Sequence, residues 1–238
     1  MRNLIVLGDS HLTTAKDLIQ QAFGHKFDNL YFIANRFLKH KWWDLKQNDY
    51  LHCFEITDTR VPNKTIEISR TDENHLLLVG LRVSGDGLLR AFGSLTHEKT
   101  PKLPFFDYEL STAFIHKIYT DYLYIQLTPI AQVVKNDDFE SIHWILSPDM
   151  SERAAYARFG QERVEAGSYK KIKSIFDTAL KEIKNKLLLT DINFIRVDKF
   201  EEASGFNKSE VAIKLRPPLD IHLSNNYYEK ALETLAIE

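Results

Sequence analysis

Two short segments, far apart in the chain, carry residue types that together can perform nucleophilic chemistry. The first, Gly8-Asp9-Ser10-His11, follows the apolar run Leu4-Ile5-Val6-Leu7. A glycine lets a strand turn sharply into a helix, and a serine at that helix's first position has its backbone amide turned toward any incoming anion. A serine so placed serves as a nucleophile with a built-in oxyanion donor; equally, Asp9 or Ser10 serves as an N-cap and nothing more. The second segment, Pro217-Pro218-Leu219-Asp220-Ile221-His222-Leu223-Ser224-Asn225-Asn226-Tyr227-Tyr228, offers a base. In an extended stretch residues i and i+2 project to the same side, so the Asp220 carboxylate can orient the His222 imidazole. A loop histidine without such partners is simply a solvated side chain.

Elements that can bring these segments together are readable from periodicity. Leu4 to Leu7, Asn29 to Ala34, His75 to Leu81, Ser141 to Leu146 and Asp191 to Val197 read as strands. Helical spacing covers Thr13 to Phe23, most of Tyr108 to Leu127, a short helix opening at Ser151, Ser168 to Leu188 and Asn226 to Ile237. Strands alternating with helices predict an α/β fold, an open and mainly parallel five-stranded sheet with helices on both faces. In such a sheet ligands bind beyond the carboxyl ends of the strands, where Asp9, Ser10, His11, Asn35, Gly80, Arg82, Ser84 and Gly85 all fall. The polar stretch 56–74 reads as an excursion, an edge hairpin, within one domain spanning 1–238.

Composition narrows the partners. Among 238 residues, 31 Lys and Arg face 33 Asp and Glu, giving a formal charge of −2, which argues against a dedicated nucleic-acid binder. The apolar runs are too short to span a bilayer, and the start of the chain lacks the apolar core of a secretory signal. One cysteine, Cys53, excludes an internal disulfide framework and a multi-cysteine zinc site, so a reduced, cytoplasmic setting is expected.

A Gly-Asp-Ser turn after the first strand, paired with an Asp/His loop before the last helix, resembles the SGNH (GDSL-type) hydrolase superfamily. Val79-Gly80 after the third strand, Leu110-Ser111-Thr112-Ala113-Phe114 opening a helix, and Ile145-Leu146-Ser147-Pro148 closing a strand are similar to bacterial SGNH-like proteins. The resemblance implies a flavodoxin-like sheet with Ser10 as nucleophile, His222 as base and Asp220 as its partner. The Ser10 and Gly80 amides and Arg82 form the implied oxyanion site, with Asp9, His11, Asn35, Ser84 and Gly85 near substrate. The implied activity is that of an esterase or O-acyltransferase on an acyl (acetyl) ester, of a carbohydrate or another small molecule, with no cofactor and no metal. The chain departs from the family at three points. Leu219 stands where the family places its acid, no glycine block follows Ala34-Asn35-Arg36-Phe37-Leu38, and Arg82 replaces an asparagine. These departures motivate the alternative of an SGNH-shaped binding or scaffold protein with reduced catalysis. Arg82 can stabilise an oxyanion or pair structurally with a carboxylate.

Other patterns carry less. The chain has 9 His residues but no His-Glu-x-x-His helix. Ser84-Gly85-Asp86-Gly87 can form a phosphate nest, yet no Gly-Lys-Ser/Thr ending follows, which leaves a nucleotide or phosphate binder as a third reading. Arg36 to Trp43 interleaves cations and aromatics in a way that suits sugar stacking or plain packing on the sheet's flank. Lys170, Lys171, Lys173, Lys181, Lys184 and Lys186 read as the solvated face of a helix whose other face is apolar.

Overall fold

Leu4, Ile5, Val6 and Leu7 are all fully buried, as a continuous apolar run requires of a parallel strand covered on both faces. The computed structural model describes residues 1–34, 43–47, 51–58, 61–81, 83–87, 111–134, 139–165, 168–212 and 223–235. In chain order its elements are β1 (Arg2–Gly8), α1 (Ser10–Phe23), β2 (Asn29–Ala34), β3 (Trp43–Gln47), β4 (Leu51–Asp58), β5 (Val61–Ser69), β6 (Glu73–Gly80), α2 (Thr112–Val134), β7 (Ser141–Leu146), α3 (Glu152–Phe159), α4 (Gln161–Glu165), α5 (Ser168–Lys186), β8 (Asn193–Ile195) and α6 (Asn225–Glu233).

The fold is α/β. Five parallel strands run in the order β2-β1-β6-β7-β8, the flavodoxin-like arrangement in which the strand order reverses between β1 and β6. Side chains alternate between two cores. Ile5, Leu7, Leu76, Leu78 and Trp144 face α2 and α5, meeting Tyr119, Leu123, Leu127 and Phe176. Leu4, Val6, Leu77, Val79 and Ile145 face α1 and α6, meeting Leu12, Ala15, Ile19, Tyr227 and Ala231. Helices therefore cover both faces, as the alternation of elements predicts.

Three features differ from the sequence reading. The excursion is larger than a hairpin and is not an edge of the main sheet: β3, β4 and β5 form a separate antiparallel sheet in the order β3-β4-β5. Its inner end is fastened by Ile68, which is buried in the main core, and by Ile66 packed against it. Helix α2 runs through Pro129 to Val134, beyond the predicted stop. Lys173, expected on a solvated face, is only 7% exposed.

Lys173 is buried because it neutralises acids at the carboxyl ends of the strands. Its Nζ lies 3.4 Å from Asp149 Oδ2, pairs directly with Glu201, and is 3.7 Å from Asp198. Asp149 in turn accepts the Asp86 amide at 3.2 Å, and the Asp86 carboxylate accepts the Met150 amide at 2.9 Å and the Ser84 hydroxyl at 2.7 Å. The network clips together the segments that follow β6, β7 and β8. Burial, and then the neighbouring Asp86, raise the Asp149 carboxyl above its ordinary value. For Lys173, burial pulls downward, but Asp149 and Glu201 outweigh it and leave the ammonium above its usual 10.5.

The pH consequence has a definite sign. A lysine whose pKa is higher in the fold contributes stability that is complete below 10.5 and is lost as pH rises through its folded value. Lys173→Met leaves buried carboxylates without a counter-ion. It should cost about 3–5 kcal/mol in urea denaturation at neutral pH and remove the lysine's share of the alkaline loss. An unchanged urea midpoint would show that the clip contributes nothing.

Candidate active site

The turn between β1 and α1 lies at the point where the strand order reverses, and its construction explains each of its residues. A Cβ on Gly8 would stand 2.6 Å from Leu12 Cβ and 3.0 Å from the Val79 carbonyl, so only glycine lets α1 start this close to the sheet. Asp9 is extended (φ −97°, ψ −151°) and caps α1, its Oδ1 accepting the His11 amide at 2.9 Å while its own amide donates to Val79 O at 3.3 Å. Because that carboxylate serves as the cap, the helix begins at Ser10, ahead of the predicted Thr13. Ser10 is half-buried at the helix's first position, just beyond the carboxyl end of β1, where ligands of such sheets bind.

Across the crevice, β6 ends in a conformation few residues adopt. Gly80 has φ +77°, and a Cβ there would lie 2.4 Å from Asp9 Oδ1 and 3.0 Å from His11 Cδ2. Leu81 follows with φ +60°, a region that costs an L-residue about 1–2 kcal/mol, held by burial of its side chain at 5% exposure. The Gly80 carbonyl accepts the Trp144 indole N–H at 3.2 Å, which fixes the peptide's orientation. Glycine is required here for positive φ and for the approach of Asp9.

His11 is 3% exposed, and its Nδ1 lies 2.7 Å from the hydroxyl of Tyr228, which is fully buried in α6. Burial, with smaller contributions from Tyr227 and Asp9, pushes the Tyr228 phenol well above its ordinary value, so it stays protonated. The residues leading into α6 are anchored as well. Leu223 bridges Ala212 and is fully buried in the same cluster as Leu12, and the Ser224 amide donates to Val211 O at 2.6 Å. Tyr228 had no signature in the sequence, because its contact with His11 spans 217 residues.

The remaining sequence candidates divide into two groups. Asn35, Arg82, Asp220 and His222 lie outside the described residues. Ser84 and Gly85 are described and buried, on the α2–α5 side of the sheet. Ser84 donates to Asp86, and the Gly85 carbonyl accepts the Tyr119 hydroxyl at 2.6 Å. A phosphate in that loop would meet the Asp86 and Asp149 carboxylates, a charge arrangement opposite to an anion nest. Among the described residues, no group of three or more His, Cys, Asp or Glu is close enough to hold a metal ion, and no helix is long and apolar enough to cross a membrane.

No protein-family model matches the chain, and no curated protein matches it either.

The packing of Gly80 on Asp9 makes a testable pair. Gly80→Ala should cost about 1–3 kcal/mol through strain at positive φ and the collision with the carboxylate. Asp9→Ala should cost about 0.5–2 kcal/mol through loss of the cap. With the carboxylate gone, the added methyl has more room, so the double variant should lose less than the sum of the two single losses. Strict additivity in urea denaturation would mean that the two residues do not constrain each other.

Proposed function

We propose that the chain is a serine-dependent acyl-ester enzyme of the SGNH kind, an esterase or O-acyltransferase acting on an acyl (acetyl) ester of a carbohydrate or another small molecule. Ser10 is the nucleophile, His222 the general base and acid, and Asp220 the group that orients the imidazole. The Ser10 Oγ attacks the acyl carbon while His222 takes the hydroxyl proton, and the negative charge on the former carbonyl oxygen is met by the Ser10 and Gly80 amides with Arg82. Collapse breaks the ester C–O bond, His222 returns the proton to the departing alcohol, and an acyl-serine remains. Water or a second hydroxyl, deprotonated by His222, then attacks the acyl group, and His222 returns that proton to Ser10 Oγ as the acyl–oxygen bond breaks. Water gives an esterase and a sugar hydroxyl an O-acyltransferase. The reading includes no cofactor, no nucleic acid and a cytoplasmic setting suited to the lone cysteine.

The observation that carries this reading is the docking of the segment next to His222. Leu223, its chain neighbour, is buried in one apolar cluster with Leu12, two residues beyond Ser10. The strained Gly80–Leu81 turn facing Asp9 supports the same assignment, since backbone strain is concentrated at functional sites. The burial of Asp9, His11, Ser84 and Gly85, which leaves few open polar groups among the described candidates, favours the second reading of an SGNH-shaped binding protein.

A fluorophosphonate probe separates the two. The enzyme reading expects labelling of the wild type, abolished in Ser10→Ala and slowed at least about 100-fold in His222→Ala, the scale of general-base assistance. Lack of labelling from neutral to mildly basic pH would leave the binding protein.

A further inference from the structure

We infer that Tyr228 is a positioning residue for the Ser10 chemistry: its hydrogen bond to His11 locks the first turn of α1 against the segment that leads from His222 into α6. The inference rests on the acyl-enzyme reading above. It begins from a difference between two kinds of contact. The α1–α6 interface is largely apolar, with Leu12, Ala15 and Ile19 against Tyr227, Ala231 and Leu232, and apolar burial is non-directional. Such packing sets the distance between the helices without tying one group to one partner. A buried hydrogen bond adds that tie, because its strength falls steeply with distance and angle.

The 2.7 Å bond between His11 Nδ1 and Tyr228 Oη is that directional contact. Its two ends sit where register matters. His11 is the residue after Ser10, and Tyr228 lies in the first turns of the helix that begins shortly after His222. On its other side the same segment is fastened through Leu223 to Ala212 and through the Ser224 amide to Val211. Among the described residues, the segment next to the base is thus held to the body of the protein by backbone bonds and to the nucleophile's helix by the Tyr228 phenol.

The bond also sets the state of the imidazole. The Tyr228 hydroxyl is fully buried, and its only hydrogen-bond partner among the described residues is His11. Among the described residues the buried phenol has no other acceptor for its proton, so it donates to the ring. His11 Nδ1 is therefore the acceptor, and the ring carries its proton on Nε2, the nitrogen beside the Cδ2 edge that faces Gly80. Tyr228 thereby fixes the position of α6 and the tautomer of the residue next to the nucleophile.

The test uses the full chain and compares fluorophosphonate labelling rates of the wild type, Tyr228→Phe, His11→Leu and His11→Asn, each below its own melting transition. Nitrogen-15 NMR of the His11 ring is recorded alongside. Phenylalanine and leucine keep apolar volume but break the bond, so labelling should slow by about 10- to 100-fold, the scale of a small misplacement of reacting groups. Asparagine puts an amide oxygen close to where Nδ1 sits and should restore most of the rate, a rescue that a purely structural role would not produce. The wild-type ring should show a protonated Nε2 and a bare Nδ1, and Tyr228→Phe should mix the two tautomers. Wild-type labelling with unaltered rates in Tyr228→Phe and His11→Leu, or an Nδ1–H ring in the wild type, would overturn the positioning role and leave the Ser10 assignment standing. An unlabelled wild type would remove that assignment and the positioning role with it.

Discussion

Strand β1 is flanked by β2 on one side and β6 on the other, and its four central residues are wholly shielded from solvent. Much else follows from that constraint. Both faces of the strand need helices, so α1 must return over one face while α2 and α5 cover the other. The chain leaves the strand at the crevice between β1 and β6, and it must reverse there with almost no room. Glycine at position 8, a capping carboxylate at position 9 and a second glycine at position 80 answer that shortage of space. Ser10 reaches its place at the head of α1 as a consequence of packing that would be needed whatever the serine does.

Among the described residues, buried polar groups at the carboxyl edge of the sheet differ in character between its two faces. On the α1–α6 face a buried histidine and a buried tyrosine, His11 and Tyr228, share a hydrogen bond. On the α2–α5 face charged groups are gathered, Asp86 and Asp149 with Lys173, and they tie three loops together. Burying charge is costly unless each ion is compensated, and removing one member leaves the others exposed to that cost. The charged cluster suits a scaffold that should not move. The histidine–tyrosine bond ties α1 to α6 beside the proposed reaction centre.

Much of this was legible in the sequence. The apolar runs of β1, β6 and β7 stand at the expected residues, because strands buried on both faces leave an unmistakable signal, and the half-buried edge strand β2 also falls where expected. Asp9 as a cap and Gly8 as a turn were likewise readable from residue type alone. The separate antiparallel sheet was not, since 43–69 mixes polar and apolar residues without the long buried run that marks the main strands. Lys173 was misread because lysines crowd that helix, although its spacing from Tyr169 and Phe176 places it on the inward stripe. Helix α2 was read by spacing only to Leu127, and it continues through Pro129 to Val134. The site is legible at its first half, whereas the partner of His11 depends on a tertiary contact that no local pattern encodes.

That contact joins residues separated by nearly the whole chain, and this has a kinetic side. Contacts between distant parts of a sequence form slowly, because a long loop must close before any stabilisation is gained. During synthesis on the ribosome the inward face of α1 can lie on β1 early, while its other flank waits for α6 to emerge. In that interval Leu12 and Ile19 present apolar surface that a chaperone, or a second unfinished chain, would find first.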